Sequence, residues 1–146
     1  MDTAVDFVVE SPHTDELLLV EAKSISSPSA EWAGRLARSV LQHTSPQANH
    51  FLLLVLRNYL YLWKHYPQEG SDLPDFSART EEALGPYLKD VQTSLHEMSG
   101  LSFELLVKSW LTDLSGGSVP PSVEKWIHAA GLQQFENGVL REEQRN

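Results

Sequence analysis

A chain of 146 residues, 41% hydrophobic and 21% charged, has the size and composition of one globular domain with its own core. Its net charge of −9 argues against a protein whose main task is broad electrostatic grip on nucleic acid, and the lack of cysteine excludes disulfides, thiolate catalysis and Cys-ligated metal. The charge is uneven, with −2 on residues 1–65 and −7 on residues 66–146.

The first fourteen residues carry acids and no basic segment, and no stretch approaches the ~18 apolar residues of a membrane span. A cytoplasmic protein with neither signal peptide nor membrane segment is expected. From Val5 to Val9 polar and apolar residues alternate, predicting a strand with Asp6, Val8 and Glu10 on one side and Val5, Phe7 and Val9 on the other. Ser11-Pro12-His13-Thr14-Asp15 is turn chemistry, and Leu17 to Lys23 predicts the second strand of a hairpin.

Ser27 is the expected N-cap of a helix with Pro28 at its first position, running to about His43. Trp32, Ala33, Leu36, Ala37 and Val40 form its apolar stripe, while Glu31, Arg35, Arg38 and Gln42 recur on the opposite side. Phe51 to Leu56 predicts a buried central strand, Arg57-Asn58 a tight turn, and Tyr59 to Trp63 a further strand.

Tyr66 to Phe76 predicts a loop and a subdomain boundary. Beyond it, Thr80 to Val91, Ser102 to Ser115 and Ser122 to Ala130 predict helices, Gln133 to Arg141 a terminal strand, and Glu142 to Asn146 a frayed end. The expected fold class is therefore α/β: a single domain in which residues 1–65 form a β-β-α-β-β core with a mixed sheet. Residues 66–146 are expected to form a helical half that packs on it and covers the face bearing Tyr59, Tyr61 and Trp63.

The hairpin carries the chemistry. Glu21 and Lys23, two apart on one strand, point the same way about 6.6 Å apart. A turn centred between His13 and Thr14 pairs residues whose numbers sum to 27 and sets Asp6 opposite Glu21. Two carboxylates with Cβ atoms about 4.5–5.5 Å apart repel unless a positive charge sits between them. A hard divalent cation on the Asp6 and Glu21 carboxylates and the Ala22 carbonyl answers this, with Lys23 beside it to support an attacking water. Glu-x-Lys by itself is also common on exposed strands as a cross-face ion pair or as edge-protecting charge. Glu10, Asp15 and Lys64 read as solvated charges, although Asp15 replaces Asp6 if the register differs. The six histidines show neither HxH nor HExxH spacing.

An Asp-bearing strand, a turn, "LLLVEAK", the helix "PSAEWAGRLARSVLQH" and the strand "HFLLLVLR" together resemble the PD-(D/E)xK, or restriction endonuclease-like, nuclease superfamily. The resemblance spans roughly Asp6 to Lys64; the later "LSFELLVKSWLTDLS" is similar to helices of uncharacterised bacterial members. It implies a restriction endonuclease-like core and Mg²⁺-dependent hydrolysis of DNA, with Mn²⁺ as a substitute. Asp6, Glu21 and the Ala22 carbonyl would hold the metal, and Lys23 would support the water. Arg35, Arg38 and Gln42 are candidate phosphate contacts, and a homodimer suits cleavage of two strands. The alternative is an inactive nuclease-fold subunit whose acidic C-terminal half engages a protein partner.

Overall fold

The computed structural model describes residues 5–42, 50–64, 73–89 and 91–143. The N-terminal hairpin is β1 (Phe7–Glu10) and β2 (Leu17–Ala22), followed by α1 (Ala30–Gln42), β3 (His50–Val55) and β4 (Tyr59–Trp63). Then come β5 (Phe76–Arg79), α2 (Thr80–Ala83), α3 (Gly100–Gly116), α4 (Pro121–Ala130) and β6 (Val139–Glu142). The six strands form one mixed sheet of order β5-β4-β3-β2-β1-β6. β2 and β3 are parallel and joined through α1; every other neighbouring pair is antiparallel.

Composition explains the order. "LLLVEA" and "HFLLLV" are almost continuously apolar, as strands buried on both faces must be, and they lie at the centre. Of the edge strands, β5 is exposed at alternate positions and β6 at three of its four residues. Ion pairs tie β6 in: Lys108 Nζ reaches Glu142 Oε2 at 2.8 Å, and Arg141 Nε lies 3.7 Å from Glu10 Oε2.

The sheet separates two cores. On one side Val8, Leu19, Leu52, Leu54, Tyr61 and Trp63 pack against Ala33, Ala37, Val40 and Leu41 of α1. On the other, Phe7, Val9, Leu18, Val20, Leu53 and Leu62 meet α3, α4 and the segment between them and β6, including Phe103, Trp110, Ile127 and Phe135. Trp126 lies between Trp110 and Phe76, with ring centroids at 5.3 and 6.1 Å. Ser99 caps α3 by accepting the Ser102 N–H, and Pro121 opens α4. Gly117 and Gly131 end these two helices in the left-handed conformation.

Several expectations change. Tyr61 and Trp63 face α1, so the C-terminal helices do not cover the aromatic row. The second half contributes two strands rather than the one expected, because β5 as well as β6 closes an edge of the sheet. The helix expected over Thr80 to Val91 is α2 followed by a 3₁₀ turn at Gly85–Leu88, because Gly85-Pro86 cannot extend α2. Gln133–Phe135 is likewise a 3₁₀ turn, and the terminal strand is the shorter β6. Glu142 is not frayed but paired with Phe7, and the Glu143 N–H donates to the Asp6 carbonyl at 2.9 Å.

Ser27 does not cap α1. Its backbone N–H and C=O are held by the Asn58 side-chain amide, and Ser29 Oγ instead accepts the Trp32 N–H at 3.1 Å. His43 and most of the expected loop, residues 66–72, lie outside the described residues.

Candidate functional site

The hairpin register is the one the turn implies: Phe7 faces Val20, Val8 faces Leu19, Val9 faces Leu18 and Glu10 faces Leu17. At Asp6 the regular ladder ends. The Asp6 N–H donates to the Val20 carbonyl at 3.0 Å, so Asp6 and Phe7 both address one residue of β2. That two-against-one arrangement is a β-bulge, which re-aims side chains. Val5 accordingly packs on the α1 side although Phe7 and Val9 pack on the other. The direct opposition of Asp6 and Glu21 expected from strict alternation is replaced by this offset.

The bulge gives Asp6 a specific task. Its Oδ2 accepts the Ala22 N–H at 2.8 Å, so a side-chain carboxylate replaces the missing backbone acceptor beside β2. In a strand the N–H and C=O of one residue point to the same side, which directs the Ala22 carbonyl toward the Asp6 side as well. A carboxylate oxygen that takes one N–H keeps further lone-pair positions for a cation.

Glu21 follows Leu19 by two residues and shares its face, the side covered by α1. It is 2% exposed. Lys23, 35% exposed in its side chain, brings Nζ to 3.6 Å from Glu21 Oε2. Its backbone N–H donates to the Val55 carbonyl, extending the parallel pairing one residue past β2. Asp6, the Ala22 backbone, Glu21 and Lys23 thus gather at the carboxyl end of the parallel pair β2/β3. Ligand sites of open α/β sheets favour that end.

The other expected residues are more dispersed. Arg35 is exposed and Arg38 half-buried on α1; the Gln42 side chain lies outside the described residues. Glu10 pairs with Arg141, Asp15 is exposed in the turn, and the Lys64 N–H donates to Asp75 Oδ2 at 2.7 Å.

Two features at the same end were not anticipated. Arg57, expected only as a turn residue, donates from Nε to the Ser24 carbonyl at 2.7 Å, from one terminal nitrogen to Met98 O at 2.7 Å and from the other to Leu95 O. Its guanidinium also lies over the Phe103 ring. Beside it is a cleft of about 450 Å³ whose walls include Arg57, Tyr59, Arg79, Ser94 and His96, with Glu81 as its acid. Sequence spacing gave no warning of this, because its walls come from segments some forty positions apart.

Among the described residues no helix is long and apolar enough to cross a membrane. Compared with protein-family models, curated proteins and solved structures, the chain matches none, so its function must be argued from the site itself.

Proposed function

We propose that the β1/β2 end of the sheet is a Mg²⁺-dependent, PD-(D/E)xK-type nuclease centre acting on DNA, within a restriction endonuclease-like core. The observation that carries this reading is the convergence of the Asp6 carboxylate on the Ala22 N–H with the Glu21–Lys23 pair one residue to either side. The donor set fits the ion: two carboxylates and a carbonyl are hard oxygen ligands, with no sulfur or nitrogen among them. Asp6, Glu21 and the Ala22 carbonyl would hold Mg²⁺, with Mn²⁺ as a substitute, and the ion would supply Lewis-acid stabilisation of the phosphate charge.

The chain's own residues do the rest. The bulge and the Ala22 N–H orient Asp6. Burial fixes Glu21. Lys23, partly exposed at the strand end, positions the attacking water and offsets negative charge as the phosphoryl centre gains its fifth oxygen. Arg35 and Arg38 on α1 and Arg79 in the neighbouring cleft are the candidate contacts for the DNA backbone, and a homodimer would present two such centres. The cytoplasm is the compartment this reading assumes.

Near-complete burial of Glu21 beside Lys23 favours a second reading, a structural ion pair in an inactive nuclease-fold subunit. Its partner would then be a basic protein surface facing the acidic second half of the chain.

The test is metal-dependent cleavage of plasmid, linear, single-stranded and branched DNA by the purified chain, alongside Glu21→Gln and Lys23→Met. The nuclease reading expects cutting that requires Mg²⁺ or Mn²⁺ and falls by about 100-fold or more in each variant. No metal-dependent cutting, or equal cutting by folded variants, would reject it in favour of the structural pair.

A further inference from the structure

At a site separate from the hairpin centre, α4 and the turn that follows it bring three metal-ligating side chains together. Glu124 and His128 stand one helical turn apart, on the same side of α4. Gly131 then reverses the chain, and the buried side chains of Leu132 and Phe135 pin the 3₁₀ turn back against the core. The next residue is Glu136. Its carboxylate returns to the imidazole, with Oε1 3.8 Å from His128 Nε2, while Glu124 Oε1 lies 2.7 Å from the same nitrogen. All three donor atoms lie within 4.8 Å of one another.

Two observations make this more than a surface cluster. Glu136 Oε1 is shut off from solvent and has no hydrogen-bond partner, which is a costly condition for a carboxylate oxygen. Two carboxylates also share a single imidazole.

We propose that Glu124, His128 and Glu136 bind one Zn²⁺ ion, with water completing its coordination. One imidazole nitrogen and two carboxylate oxygens suit zinc. Tetrahedral Zn²⁺ with bonds of about 2.0–2.2 Å separates its donor atoms by about 3.3–3.5 Å. To meet that spacing the 2.7 Å pair need open by about 0.6–0.8 Å and the 3.8 Å pair close by about 0.3–0.5 Å. His128 is 57% exposed in its side chain, so the ion has an entry path. A bound ion would clamp α4 to the segment leading into β6, and so join the last helix to the edge of the sheet.

The test is calorimetric titration of the EDTA-treated full chain with zinc chloride. It is paired with cobalt(II) absorption, His128→Ala, Glu136→Gln and, as the control for the hairpin, Glu21→Gln. Expected are visible cobalt bands and a zinc site whose affinity falls at least about tenfold in both His128→Ala and Glu136→Gln and which Glu21→Gln retains. Zinc should also raise the melting temperature of the wild type and not that of His128→Ala. Absence of binding by the wild type would overturn the proposal. So would unchanged affinity in folded His128→Ala, or loss of binding in Glu21→Gln with retention in His128→Ala, which would place the zinc at the hairpin.

Discussion

The two faces of the sheet are built differently. The face under α3 and α4 gathers about twice as many buried apolar side chains as the face under α1, including Trp110, Phe103 and Phe135. The α1 face is thinner, and among the described residues it holds most of the buried polar side chains. Glu21 shares the side of Leu19, His50 that of Leu52, and Ser27 Oγ lies 3.1 Å from the Tyr61 hydroxyl. Buried polar groups cost stability unless partnered, so a protein that places them on one face draws its stability from the other. The comparison teaches a division of labour: the C-terminal face holds the fold, and the α1 face tolerates charge at the end of β2.

The sharpest challenge to that division is truncation on the apolar face. Trp110→Ala should cost about 3–5 kcal/mol in a urea or guanidinium titration. A cost below that of the α1-face changes would break the comparison. Next is Arg57, whose guanidinium ties the residue after Lys23 to the segment leading into α3. Arg57→Ala leaves the Ser24, Leu95 and Met98 carbonyls without this donor and should cost about 2–3 kcal/mol, measured the same way.

Lys23→Met tests the charge on the α1 side. Removing the cation from a buried carboxylate is destabilising, but Lys23 is about one-third exposed and solvent screens the pair, so a loss of about 1–2 kcal/mol is expected. Cleavage activity lost without a matching loss of stability would separate catalysis from structure at this residue.

The smallest effects are titrations, and they run in opposite directions on the two faces. Burial holds the His50 imidazole below its ordinary 6.5, so the unfolded chain takes up its proton more readily. The stability this contributes above pH 6.5 is lost as the pH falls toward the depressed folded value. His50→Gln should therefore lose less stability than wild type between pH 7 and pH 5 in equilibrium denaturation. On the other face burial, then the hydrogen bond to Asp113 and its charge, push the Tyr87 phenol above 10. The folded chain keeps that proton while the unfolded chain releases it, so stability present below pH 10 is lost as the pH rises beyond it. Tyr87→Phe should lose less stability over the same alkaline range.

The local pattern of the chain determined a good deal. Alternation and turn residues were enough for β1, β2 and β4, and the turn at His13-Thr14 carried the hairpin register through four pairs. Caps and apolar periodicity located α3 and α4 within a residue or two. The common direction of Glu21 and Lys23 was legible because residues two apart on a strand must share a side.

Tertiary structure decided the rest, because those features depend on segments distant in sequence. Alternation cannot foresee that Asp6 would leave the ladder and accept the Ala22 N–H, since a bulge is a contest between neighbouring strands. Nor can it foresee which core would bury Tyr61 and Trp63, because a central strand is apolar on both sides. Phe76–Arg79 becomes a strand through pairing with β4, and Glu136 reaches Glu124 and His128 through a chain reversal anchored by Leu132 and Phe135. The sequence by itself determined the elements, the hairpin register and the charges at the strand end. Packing of distant segments decided how buried those charges are and what stands beside them.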